Sequence, residues 1–201
     1  MEADSLNKQK GKLENQIRDA YGKLTYTETT HYKAYDRFNR YDAWAKWGQI
    51  ILSGMSVTGA VAALVSDETC VKTITVVISV ILFVLNAFLK NFRPLEIAGK
   101  HKKSADQLWS LREKYVSLLT DIPMMDIVGI VKKRDELQNA TAAVYADSLG
   151  TDSADYSKAQ KALKEGEEQF FSDMELDKML PRHLRKSDEV DGYSNHRKSI
   201  K

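Results

Sequence analysis

The residues that could do chemistry are few and do not converge. His31, His101, His183 and His196 are dispersed along the chain, and no two have the spacing of metal ligands. The single cysteine, Cys70, excludes a disulfide framework and a cysteine-rich zinc site. No glycine-rich phosphate loop and no nucleophile elbow is present. The carboxylates of 152–177 could act as acids and bases in principle, but on amphipathic helices of this composition they read as a charged surface. Catalytic, cofactor-binding and metal-binding residues are therefore not expected, and the chain is not read as an enzyme. What remains is the chemistry of polar groups in a very apolar setting. Thr75, Ser79 and Asn86 lie in one uncharged run, and Gln49, Ser53 and Ser56 in another.

Those runs, 48–65 and 73–89, are the elements that must position them. Each would cover about 26 Å as a helix, close to the hydrocarbon thickness of a bilayer. Trp44, Lys46 and Trp47 precede the first run, and Lys90, Phe92 and Arg93 follow the second. Aromatic and basic flanks of this kind anchor spans at the interface. The expected architecture is all-α. It is a two-helix transmembrane hairpin (48–89, with an outer turn at 66–72) whose long flanking helices pack as a cytoplasmic bundle or coiled coil.

Basic residues set the orientation. Lys33, Arg37, Arg40 and Lys46 precede the hairpin, and Lys90, Arg93, Lys100, Lys102 and Lys103 follow it, whereas the turn carries only Lys72. Positive charge stays inside, so both ends are expected on the cytoplasmic side of the membrane. The first 47 residues are too charged for a secretory signal, and the first span is expected to direct its own insertion. A net charge of +2 gives no reason to expect direct nucleic-acid binding.

Around the hairpin, residues 1–47 read as an amphipathic helix. Leu6, Leu13, Ala20, Thr27, Ala34 and Tyr41 repeat at every seventh position, and so do Ile17, Leu24, His31, Phe38 and Ala45. His31 on that seam reads as a neutral, hydrogen-bonded residue. Residues 90–181 form a helical domain whose first helix carries the stripe His101, Ala105, Leu108, Leu111, Tyr115, Leu118 and Ile122. Matching spacing predicts that these two helices run side by side. His101, Lys102 and Lys103 read as a basic anchor near the membrane. Further helices are expected at about 124–148, opened by Pro123, and at about 153–170. A short one follows a capping box formed by Ser172 and Glu175. Residues 182–201 lack periodicity and read as a disordered tail.

Inside the hairpin the polar and small residues form two stripes. Ser53, Ser56, Gly59, Ala60 and Ala63 suit close helix contact. Thr75, Ser79 and Asn86 form the second stripe and are candidates to line a pore. Two arrangements satisfy the pattern: the stripes face each other and hold the hairpin together, or one faces a water-filled axis. The second obliges the protein to form a homo-oligomer, because a single hairpin encloses no channel.

The order of parts is itself informative. FNRYDAWAKWGQI leads into the hairpin, NAFLKNFRPLEIAGKHKKSADQLWSLREKY follows it directly, and FFSDMELDKMLPRHLR closes the helical domain. Over roughly residues 10–185 this resembles the SLATT family of bacterial two-transmembrane effectors. These occur beside nucleotide-oligomer synthases, nucleotide-sensing SLOG domains or reverse transcriptases. The closing segment looks most like members beside reverse transcriptases. The resemblance implies a pore-forming role in cell suicide or growth arrest after phage infection, with a nucleotide-signalling enzyme or reverse transcriptase as partner. It supplies no catalytic residues. The competing expectation is a membrane scaffold that recruits a cytoplasmic partner through its helical domain.

Overall fold

The structure, a computed structural model, describes residues 2–65, 68–169, 171–181 and 184–186. Most of these are helical, with no strand among them. In chain order the helices are α1 (Glu2–Val65), α2 (Thr69–Phe92), α3 (Pro94–Asp121), α4 (Ile127–Asp147), α5 (Ser153–Lys164) and α6 (Asp173–Met179), with a 3-10 turn at Ile122–Met124. The chain divides into two units, Met1–Ala159 and Gln160–Lys201. The tail expected at 182–201 lies almost entirely outside the described residues.

In the first unit, α1 is one uninterrupted helix of 64 residues. The amphipathic segment and the first apolar run are therefore continuous, with no break between Trp47 and Gly48. No proline falls in this stretch and its glycines are isolated, so nothing stops the hydrogen-bond ladder. After the turn α2 returns along α1, and α3 then runs beside the charged part of α1, with α4 across both. The junction of α2 and α3 is a single residue. Arg93 adopts a left-handed conformation (φ 43°, ψ 62°), and its N–H caps α2 on the carbonyl of Leu89. Pro94 then opens α3 at a position where a missing N–H costs nothing. A non-glycine residue in this region is strained by roughly 1–2 kcal/mol. The break between α2 and α3, which both run antiparallel to α1, thus rests on the elements packed around it.

The core lies in the charged half of the unit. Ile17 and Leu24 of α1 meet Leu108, Leu111, Tyr115 and Leu118 of α3, with Ile122, Ile130 and Leu137 closing the cluster. Each such side chain contributes roughly 1.5–3 kcal/mol by leaving water. The expected pairing of α1 with α3 is thus the main tertiary contact, made within one chain. The helix expected from Pro123 starts later. Pro123 sits in the 3-10 turn, and Asp126 caps α4 by accepting from the N–H of Gly129 at 2.9 Å. The helix expected to reach 170 ends at Lys164, before Gly166 and the left-handed residues Glu167 and Gln169. In the second unit, α6 opens with the capping box of Ser172 and Glu175.

Candidate functional site

The two apolar runs are the exposed part of the molecule. Neither apolar window has any residue buried inside the protein, and both helices are long and apolar enough to cross a membrane. Leu64 and Val65 are 88% and 86% exposed, and Phe83 is 73% exposed. A continuous apolar surface of this extent is not stable against water, and a bilayer covers it. At its base Trp44 and Trp47 stand out from the helix, 76% and 63% exposed. Lys46 pairs with Asp42 at 2.7 Å, Lys90 ends α2, and the Arg93 guanidinium reaches Glu96 at 3.4 Å.

Between the runs lies a narrow line of polar and small residues. Gln49 donates to the Asn86 side chain. Ser56 and Ser79 are joined by a hydroxyl–hydroxyl bond of 2.8 Å. Because Ser79 donates its own proton to the Thr75 carbonyl at 2.9 Å, Ser56 is the donor of that bond. Gly59 faces Thr75, whose hydroxyl donates to the Val71 carbonyl. Of the small residues, Ser56, Gly59 and Ala63 are half-buried, while Ser53 and Ala60 are exposed. In this single hairpin, then, all three of Thr75, Ser79 and Asn86 turn toward α1 or bond within α2, and the two stripes meet. An apolar groove of about 600 Å³ opens beside them, lined in part by Gly54, Thr58, Ala62 and Ile74.

Below the hairpin the α1–α3 contact carries a ladder of buried polar groups. Arg37 holds the fully buried Asp155 at 2.7 Å and the more exposed Asp152 at 3.1 Å. His31 and His101, each 2% exposed, meet with their Nδ1 atoms 3.0 Å apart. Glu28, 1% exposed, pairs with Arg112 at 3.2 Å. Beside them the Tyr32 hydroxyl donates to Asp106, which also takes Lys102 at 2.6 Å.

Burial sets the charge states here. It drives the Glu28 carboxyl up to about 7, against the pull of Arg112 and with help from Glu113. It drives His31 down to about 4, with the charge of His101 adding to the effect. His101 is also lowered by burial, which Asp155 opposes and Arg37 reinforces. For Arg37 burial works against the charge, but the hydrogen bond and charge of Asp155 outweigh it and raise the guanidinium further.

One expectation needs correction: the carboxylates of 152–177 are not uniformly surface, because Asp155 is fully buried. Within the expected basic anchor, His101 is buried, Lys102 is paired with Asp106, and Lys103 reaches Asp147 at 3.2 Å. The histidines at 31 and 101, dispersed along the chain, meet in space. Their meeting was detectable in principle, since both occupy seam positions of helices expected to lie side by side. Glu28 and Asp155 gave no such signal, since nothing in an acidic residue announces its burial. Among the described residues no group of three or more His, Cys, Asp or Glu is placed to hold a metal ion.

Comparison with curated proteins and with solved structures returns no match. A family model described as the SMODS and SLOG-associating 2TM effector domain family 4 matches residues 13–175, a span that takes in the hairpin and the polar ladder beneath it. With two helices long and apolar enough to cross a membrane and a match over most of its length, the chain belongs to that family of two-transmembrane effector domains.

Proposed function

We propose that this protein is the pore-forming membrane effector of a bacterial anti-phage or conflict system, and not an enzyme. Both ends lie in the cytoplasm of the inner membrane, and the bundle keeps the hairpin silent until an infection cue arrives. The family description, which names association with SMODS and SLOG, favours a nucleotide-linked partner as the source of that cue. The observation that carries the reading is the pairing of a wholly unburied apolar surface with a polar seam inside the hairpin. Polar groups inside a membrane are costly and usually serve a pathway or a helix contact. In the silent state Ser79 and Asn86 are satisfied within the hairpin. In an assembly of several copies, Thr75, Ser79 and Asn86 exchange those partners for water along a shared axis. The groove at Gly54, Thr58 and Ala62 lets a neighbouring helix approach closely.

The test is induced expression with a voltage-sensitive dye. The intact chain depolarises cells. A charge at Val80, in the middle of the second span, abolishes the effect by blocking insertion. Ser79→Leu or Asn86→Leu reduces depolarisation while the protein still fractionates with membranes. Unchanged depolarisation in both leucine variants removes the lining assignment. Absence of ion flux at any expression level favours the scaffold instead.

A further inference from the structure

We infer that the His31–His101 contact is an acid-released clasp between α1 and α3, and that its release loosens the base of the hairpin. The geometry has three parts. First, the contact needs a specific protonation state. At 3.0 Å one Nδ1 must donate and the other accept. When both rings carry a proton on each nitrogen, no acceptor is left, and two positive N–H groups oppose each other in a buried layer.

Second, the charges around the pair pull in opposite directions, so burial decides: Asp155 favours a proton on His101 and Arg37 opposes it. From α5 comes Asp155, already bonded to Arg37 at 2.7 Å. From α1 come Arg37 itself and Glu28, and from α3 comes Arg112, which pairs with Glu28. Asp106 on α3 is engaged by Tyr32 and Lys102. From α2 the nearest group is uncharged, the ring of Phe92 acting through Phe38.

Third, the pair is joined to the membrane segment by rigid parts. Phe38 stacks on His101 at 5.6 Å and contacts Phe92 at 6.2 Å, and Phe92 stacks on Phe88 of the second span at 5.1 Å. In addition, α1 runs unbroken from His31 to Val65, and only Arg93 separates α2 from α3. A widening of α1 from α3 at the histidine layer is therefore delivered to the hairpin.

The sign follows from linkage. His31 is held near about 4 in the closed form and returns toward the ordinary histidine value of ~6.5 once solvated. The closed form is thus favoured above pH ~6.5 and loses that advantage as pH falls toward 4. Between pH 7.5 and 5.5 the ratio of open to closed rises roughly tenfold from His31 alone. Glu28 works in the opposite direction. Its carboxyl, raised to about 7 by burial, takes up a proton in the closed form over the same window and so favours closure. The clasp is therefore read most directly in an E28Q background. Its role as a gate on ion flux rests on the pore reading above, while the clasp itself does not.

The experiment uses the full chain in lipid nanodiscs, with Cys70→Ser and spin labels at the exposed positions Arg40 and Gly99 on α1 and α3. In E28Q protein, double electron–electron resonance at pH 5.5 shows a separated population roughly tenfold larger than at pH 7.5. Wild type shows no such rise, because the proton that Glu28 takes up in the closed form offsets the histidine effect over this window, and addition of His31→Phe and His101→Phe to the E28Q protein removes the pH dependence. Identical distance distributions at both pH values in E28Q protein overturn the inference, as does an acid response that survives loss of both histidines. Imidazole 15N NMR of the E28Q chain, with both histidines native, requires no replacement in the core. A His31 midpoint near about 4 is expected, and one at or above ~6.5 overturns the clasp. Dye flux from liposomes of the same samples separates the two readings. Separation without flux defeats the pore and leaves the clasp, and flux without separation does the reverse.

Discussion

Gly59 of α1 lies so close to Thr75 of α2 that a methyl group does not fit between them. A Cβ on Gly59 would stand 2.5 Å from Thr75 Oγ1, 3.2 Å from its Cγ2 and 3.3 Å from its Cβ. Thr75 cannot turn aside. Its β-branch leaves few rotamers in a helix, and its hydroxyl is bonded to the Val71 carbonyl at 2.9 Å. Gly59→Ala therefore forces the two spans apart at their tightest point and destabilises the hairpin by about 1–3 kcal/mol. Gly54→Ala, at a position where a Cβ meets nothing, is the neutral control. Unfolding in mixed micelles, followed by energy transfer between the spans, reads both.

The Ser56–Ser79 bond gives a smaller and sharper number. Ser79 has a second outlet in the Thr75 carbonyl, so Ser56→Ala leaves no donor stranded. A double-mutant cycle on Ser56→Ala and Ser79→Ala yields a coupling of about 0.6 kcal/mol, the usual worth of such a bond in lipid. A coupling near zero means the two stripes do not face each other in the membrane.

Arg37 and Asp155 form the most consequential ion pair of the bundle. Asp155 is fully buried, its Oδ1 has no hydrogen-bond partner, and neither has Arg37 Nε. Removing one member of such a pair leaves the other charge buried, at a cost of roughly 3–5 kcal/mol. Asp152, also bonded to Arg37 and 47% exposed, keeps part of the compensation, so Asp155→Ala falls near the lower end. Arg37→Met with Asp155→Leu removes both charges and destabilises less than Asp155→Ala alone. Thermal melting followed by circular dichroism distinguishes the two orders.

The parts of this fold that repeat locally were legible, and the parts made by distant residues were not. The uncharged runs, the seventh-position seam through Leu24 and His31, and the Ser172 capping box all declare themselves within a few residues of sequence. The start of α4 at Ile127, capped by Asp126, was hidden because Pro123 is equally at home in a 3-10 turn and at a first helical position. The polar seam of the hairpin was visible as two stripes, but their facing depends on the rotation of α2 about its axis, which the contact of Gly59 with Thr75 fixes. The ladder under the membrane was hidden most deeply. Arg37 and Asp155 are separated by 118 positions, and His31 and His101 by 70. An ionisable residue on a helix reveals its burial only through the partner that meets it.

Glu28 carries the last prediction, and its sign is opposite to that of the histidines. Burial raises its carboxyl from 4.5 to about 7 in the folded bundle. Between those values the folded state holds a proton that the unfolded chain has released. Its contribution is therefore fully present below pH ~4.5 and is lost as pH rises through about 7. Replacing it by glutamine, which keeps a hydrogen-bonding end but cannot ionise, removes this dependence. Subtracting the E28Q stability profile from that of wild type, both taken by denaturant melts from pH 4 to 8, gives a difference that falls steadily as pH rises. A flat difference would mean that Arg112, at 3.2 Å, just offsets burial and leaves the carboxyl at its unfolded value. A rising one would mean that the ion pair outweighs burial altogether.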